Sequence, residues 1–201
     1  MKILNVAPEN INDRVIAEVA RALDDGKIVI YPTDTLYAIG CDALNNAAIE
    51  EICQIKAMKS AKTNLTIVCS DISQVSQYAK VSNEHFRLMK QHLPGPFTFV
   101  LQALSKLPKA FKGRKTVGVR IPSNKITTKL VESLGRPILS TSVEGIDDDY
   151  LCEPGLIAET YSNVVEYVID AGRSESMVST VVDCTGSEPE VIREGKGIIE
   201  L

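Results

Sequence analysis

Thr116-Val-Gly-Val-Arg-Ile-Pro-Ser-Asn-Lys-Ile-Thr-Thr-Lys-Leu-Val-Glu-Ser-Leu-Gly-Arg-Pro-Ile-Leu139 is the stretch that decides the fold class. Val117, Val119 and Ile121 alternate as in a strand, and Pro122 ends it. Ser123 reads as the cap of a helix in which Ile126, Leu130, Val131 and Leu134 recur at helical spacing, and Gly135 stops that helix. Pro137 to Leu139 is a strand again. Strand, helix and strand in sequence make an α/β unit.

The alternation continues outward. Upstream, Val15, Ile16, Val19 and Leu23 form a helical stripe closed by Gly26, and Lys27 to Tyr31 is a short strand ended by Pro32. Ala48 to Lys56 reads as helix and Leu65 to Cys69 as strand. Asp71 caps a helix carrying Ile72, Val75 and Tyr78, and Ser82 caps another carrying Phe86, Met89 and Leu93. Pro94-Gly95-Pro96 then leads into a strand from Phe97 to Leu101. Downstream, strands are expected at 164–169, 178–184 and 191–199. Gly145 and the run Asp147-Asp148-Asp149 mark 144–154 as the most mobile loop. No fixed-period repeat or long linker divides the chain, so one α/β domain over residues 1–201, with a mixed sheet, is the economical reading.

Composition bounds the function. The chain has 201 residues, 44% hydrophobic and 24% charged, and a formal charge of −4. At that size about 70% of the unfolded surface is buried on folding. No apolar run approaches the roughly 18 residues of a membrane span, and Asn5 and Pro8 interrupt any leader-like stretch. The five cysteines are scattered and form no C-x-x-C pair, which argues against disulfides or thiolate zinc and for a cytoplasmic protein.

The net charge conceals strong sorting. Residues 1–84 carry net −3, residues 85–131 net +10 with no carboxylate at all, and residues 132–201 net −11. Such polarity suits an anionic partner, a nucleotide or an RNA backbone. Hydroxyls and cations also gather at strand ends: Thr33-Asp34-Thr35, Ser140-Thr141-Ser142, Ser179-Thr180 and Arg120, with Arg193 inside the last expected strand. Ligands of open α/β sheets collect at such ends. Walker A, G-x-G-x-x-G, G-x-S-x-G and H-E-x-x-H patterns are absent, and no nucleophile or base stands out. Catalysis would therefore rest on positioning and charge neutralisation, as in nucleotidyl transfer. Asp147 to Asp149 have the chemistry to hold Mg²⁺, although a solvated acidic loop is the simpler account.

Pro32-Thr-Asp-Thr-Leu-Tyr-Ala-Ile-Gly-Cys-Asp42, Pro94-Gly-Pro-Phe-Thr98, Val117-Gly-Val-Arg-Ile-Pro122, Ser140-Thr-Ser142, Ser179-Thr-Val-Val-Asp183 and Val191-Ile-Arg193 occur in one order across almost the whole chain. In that series the sequence resembles the YrdC/YciO-like proteins, the threonylcarbamoyl-adenylate synthase family, and looks closest to the YciO-like branch. The resemblance implies a YrdC-like α/β fold: a twisted mixed sheet flanked by helices, with a concave basic groove. It implies a reaction in which L-threonine, bicarbonate and ATP give threonylcarbamoyl-AMP and pyrophosphate, feeding tRNA modification. Carried over by position, Thr33, Ser179 and Arg120 would bind the threonine, Arg120 at its carboxylate. Lys56, Thr98, Ser140, Ser142 and Arg193 would bind an ATP- or AMP-type nucleotide. Binding of tRNA or double-stranded RNA through the 85–131 segment is implied as well, and a non-catalytic RNA- or ribosome-binding module is the alternative.

Two positions depart from the synthase pattern. Where the active branch has Lys-x-Arg, this chain has Lys56-Ala57-Met58, and where it has Ser-x-Asn, this chain has Ser142-Val143-Glu144. One positive charge is lost and one negative charge gained. At ~4 Å and a partly screened dielectric each is worth up to about 4 kcal/mol. Weaker ATP binding and slower pyrophosphate departure are expected, with a ligand of one phosphate favoured.

Overall fold

The computed structural model describes residues 1–56, 65–111 and 114–201. In chain order the elements are β1 (Lys2–Asn5), α1 (Asp13–Asp24), β2 (Val29–Tyr31), β3 (Ala38–Asp42), α2 (Asn46–Ile55), β4 (Thr66–Val68), α3 (Ile72–Val75), α4 (Asn83–His92) and β5 (Phe97–Gln102). After a 3₁₀ turn at Lys109–Phe111 come β6 (Thr116–Arg120), α5 (Lys125–Leu134), β7 (Ile138–Ser142), α6 (Asp148–Cys152), α7 (Pro154–Tyr161), β8 (Tyr167–Asp170), β9 (Thr180–Asp183) and β10 (Glu190–Arg193). All ten strands join one mixed sheet, in the order β1-β8-β2-β3-β7-β4-β6-β5-β9-β10.

Strand alternation splits the core into two layers. Ile30, Ile39, Ile67, Leu139 and Val168 face one side, where Ile49 and Ile52 of α2, Met89 of α4 and Ile157 of α7 cover them. Val29, Tyr31, Ala38, Val68, Ile138 and Ile169 face the other, beneath Ile16, Val19 and Leu23 of α1 and Ile126, Leu130 and Leu134 of α5. Arg136 ties this second layer together by pairing with both Asp24 of α1 and the buried Asp42 of β3.

Several local expectations shift. The cap of α5 is Asn124, whose side chain accepts from the amides of Ile126 and Thr127; Ser123 instead donates its amide to Asp34 Oδ2. Starting one residue later places Thr127 inward, where its hydroxyl donates to Pro32 O. The strand expected at 137–139 runs on to Ser142, so the Ser140-Thr141-Ser142 cluster lies within it. The 144–154 loop holds α6, because Asp147 accepts from the amides of Asp149 and Tyr150 and so caps a turn of helix. The last strand is shorter than expected, ending at Arg193.

Candidate functional site

The covering helices leave part of one sheet face bare. Thr66 sits in register with both Ser140 and Gly118, Gly118 with Val100, and Thr98 with Val181, so these residues tile a continuous floor over five strands. They share a face with Val68 and Ile138, two residues along their own strands. The side chains on this floor are short, and Gly118 adds none. A Cβ there would stand 2.6 Å from Thr66 Oγ1 and 3.2 Å from Thr98 Cγ2. A cavity of about 280 Å³ results.

Its lining contains six hydroxyl residues (Thr66, Thr98, Ser140, Thr141, Ser142 and Ser179), two arginines (Arg120 and Arg193) and, among the described residues, no carboxylate. Thr98 and Ser179 hydroxyls lie 2.9 Å apart, and Tyr31 donates to Ser140 Oγ at 2.8 Å from below. Arg193, at the rim, donates through Nε and Nη2 to Ser179 O and through Nη2 to Ser179 Oγ. Arg120 is held by Asp34, whose Oδ1 accepts from Nη2 at 2.9 Å, and Nη2 also reaches Thr35 Oγ1. Both members of the pair are buried, with side-chain exposures of 8% and 7%. Arg120 Nε is buried without a hydrogen-bond partner.

The electrostatics favour an anion here. Burial lowers the pKa of both arginines; Asp34 opposes that at Arg120, whereas at Arg193 the charge of Arg120 lowers it further. A carboxylate or phosphate between them would satisfy Nε and relieve the repulsion.

Six of the residues expected from the sequence therefore line one cavity: Thr98, Arg120, Ser140, Ser142, Ser179 and Arg193. Thr33 is not in that lining. Its hydroxyl donates to Leu36 O and accepts from the amide of Thr35, closing the turn that presents Asp34 and Thr35 to Arg120. Lys56 stands beside the lining, its Nζ donating to Ser142 O at 2.9 Å and pairing with Glu144 Oε1 at 2.5 Å. Met58 lies outside the described residues, as does Lys112 of the basic segment.

Thr66 and Gly118 belong to the floor and were not singled out in the sequence; only strand register brings them under Thr98 and Ser140. Lys196 was also missed. Its Nζ donates to Asp34 O and pairs with Glu175, fastening the segment after β10 to the Asp34 turn. The acidic run is not arranged as a metal site. Asp147 caps α6, Asp149 pairs with Arg173, and among the described residues no cluster of three or more acidic, His or Cys side chains is placed to hold an ion.

The basic segment spreads over several surfaces. Arg120 is interior, Lys129 pairs with Asp13, and Lys106 donates to Gln77 while lying over Tyr78. Arg87, Lys90, Lys109, Lys115 and Lys125 are exposed.

Comparison with known proteins adds to this geometry. The Sua5_yciO_yrdC family model, described as "Telomere recombination", matches residues 21–195. The uncharacterized protein YciO of Escherichia coli strain K12 is 36% identical over 97% of this chain and 96% of its own length. The crystal structure of E. coli YciO superposes with a TM-score of 0.91. A threonylcarbamoyl-AMP synthase of Pyrococcus abyssi is 33% identical over 96% of this chain and 57% of its own length. P. abyssi Sua5 complexed with L-threonine superposes with a TM-score of 0.87 at 32% identity, over 97% of this chain and 58% of that one.

Proposed function

Because the chain belongs to the Sua5/YciO/YrdC family, we propose that its cavity binds L-threonine and an adenine nucleotide for threonylcarbamoyl-AMP chemistry. The observation that carries this reading is the convergence of Arg120 and Arg193 on a carboxylate-free, hydroxyl-rich cavity, with Arg120 Nε unpartnered. Arg120 receives the threonine carboxylate, with the Thr98–Ser179 hydroxyl pair at the polar end of the amino acid. Ser140, Ser142 and Arg193 face the nucleotide, and Lys56 lies at the phosphate side of Ser142.

The net reaction joins a threonine-derived carbamate oxygen to the α-phosphorus and breaks the α–β phosphoanhydride, releasing pyrophosphate. Bicarbonate supplies the carbamate carbon: the C–N bond to the threonine amine forms as a bicarbonate C–O bond breaks and water leaves. Among the described residues no side chain is set up as nucleophile or base in the cavity. The protein's contribution is to align the carbamate with the α-phosphorus and to neutralise the charge that gathers there. Forward synthesis is slow in this chain, since Glu144 adds negative charge beside Lys56.

L-threonine titration followed by calorimetry tests the reading. Saturable binding that falls sharply with Arg120→Met supports it, and an absence of threonine binding to the intact protein overturns it. The exposed Arg87, Lys90, Lys109, Lys115 and Lys125 favour a second, compatible role in holding tRNA. Such binding weakens steeply as salt rises; a salt-insensitive affinity, or none, removes that role.

A further inference from the structure

Lys56 stands beside the cavity at Ser142, and it is already occupied. Its side chain is 6% exposed, and its ammonium spends one proton on Ser142 O and another on the carboxylate of Glu144. Glu144 is 71% exposed on its outer side, while its backbone amide donates to Tyr161 Oη. Tyr161 is buried in α7, so the backbone of Glu144 is anchored even though its side chain meets solvent. The carboxylate thus stands between Lys56 and water, where an incoming anion would have to be.

We infer that Glu144 is a built-in counter-anion that sets phosphate selectivity: it occupies Lys56 and disfavours ligands in proportion to the number of phosphates they bring. This rests on the nucleotide reading of the cavity and deepens it. A nucleoside monophosphate or acyl-adenylate places its one phosphate near Ser140, Ser142 and Arg193 without needing Lys56. A triphosphate extends further, must displace Glu144 from Lys56, and then meets that displaced carboxylate as a like charge. The repulsion grows with each added phosphate, so the penalty falls mainly on ATP.

The test measures AMP and ATP affinities by calorimetry, without divalent cations, for the intact protein and three variants. Glu144→Gln keeps the shape and removes the charge; ATP affinity is expected to rise about tenfold and AMP affinity less than about threefold. Glu159→Gln removes an equal charge from an exposed position on α7 and leaves both affinities unchanged. In a Lys56→Met background, adding Glu144→Gln yields a smaller gain for ATP than it does in the intact protein, which is the coupling a direct pair requires. Melting curves confirm that each variant is folded.

Equal gains for AMP and ATP, a matching gain from Glu159→Gln, or an undiminished gain in the Lys56→Met background overturns the inference. If L-threonine binds but neither nucleotide binds any variant, the inference falls and the threonine half of the proposed function stands. If threonine fails as well, both fall.

Discussion

Replacing Arg120 by Met separates the structural work of that side chain from its binding work. Arg120 and Asp34 are both buried, so removing the guanidinium leaves a carboxylate with, among the described residues, the Ser123 amide as its remaining donor. Breaking a buried pair from one side costs about 3–5 kcal/mol. The surviving charge-assisted bond brings the expectation to about 3 kcal/mol in urea denaturation. Adding Asp34→Asn removes the stranded charge while keeping an oxygen for the Ser123 amide. The double variant should therefore recover about 2 kcal/mol of that loss. Threonine binding follows a different pattern. It falls at least thirtyfold, ~2 kcal/mol, in Arg120→Met and stays low in the double variant. In Asp34→Asn alone it is retained, because Arg120 is freed from its competing carboxylate. A double variant that binds L-threonine with the original affinity refutes the assignment of Arg120 to the carboxylate. Failure of Asp34→Asn to rescue stability refutes the account of the pair.

Three further outcomes are expected. Gly118→Ala pushes a methyl group against Thr66 Oγ1, costs about 1–3 kcal/mol and narrows the cavity; Thr66→Ala in the same chain restores most of the stability. Asn124→Ala removes the acceptor for two amides at the start of α5 and costs ~1 kcal/mol, whereas Ser123→Ala costs a few tenths. Burial pushes the Tyr37 hydroxyl up to about 12 from an ordinary 10. Between those values the unfolded chain gives up a proton that the folded chain keeps. The Tyr37 contribution to stability is full below pH 10 and declines by on the order of 2 kcal/mol as pH rises toward 12. Tyr37→Phe flattens that decline, and an unchanged slope in denaturation against pH refutes it.

What the sequence could disclose depended on whether the signal was local. Arg120, Ser140 and Ser179 were visible because polar residues beside β-branched runs mark strand ends, and Arg193 was visible as a cation inside the last β-branched run. The helical stripes of α1 and α5 were visible because each has one apolar face. β3 was missed because all five of its residues are buried, leaving no alternation to read. β1 was missed for the opposite reason: it is a short edge strand with mostly exposed residues. The ion pairs Arg120–Asp34 and Lys56–Glu144 join residues far apart in the chain, and only the folded sheet makes them neighbours. The cavity floor is likewise a product of register. Thr66 and Gly118 are unremarkable in sequence and become a site by lying across from Ser140 and Val100.

The floor draws on β4, β5, β6, β7 and β9, and Arg193 comes from β10 at the sheet's edge. No contiguous half of the chain contains all of it. The pocket therefore has no modular fragment: it cannot be transplanted as a loop, trimmed to a minimal peptide, or left working after a cut in the backbone that lets β9 and β10 drift away. Ligand binding is in effect a report on the completeness of the whole sheet. A cut that releases β9 and β10 takes Val181 and Arg193 out of the cavity lining.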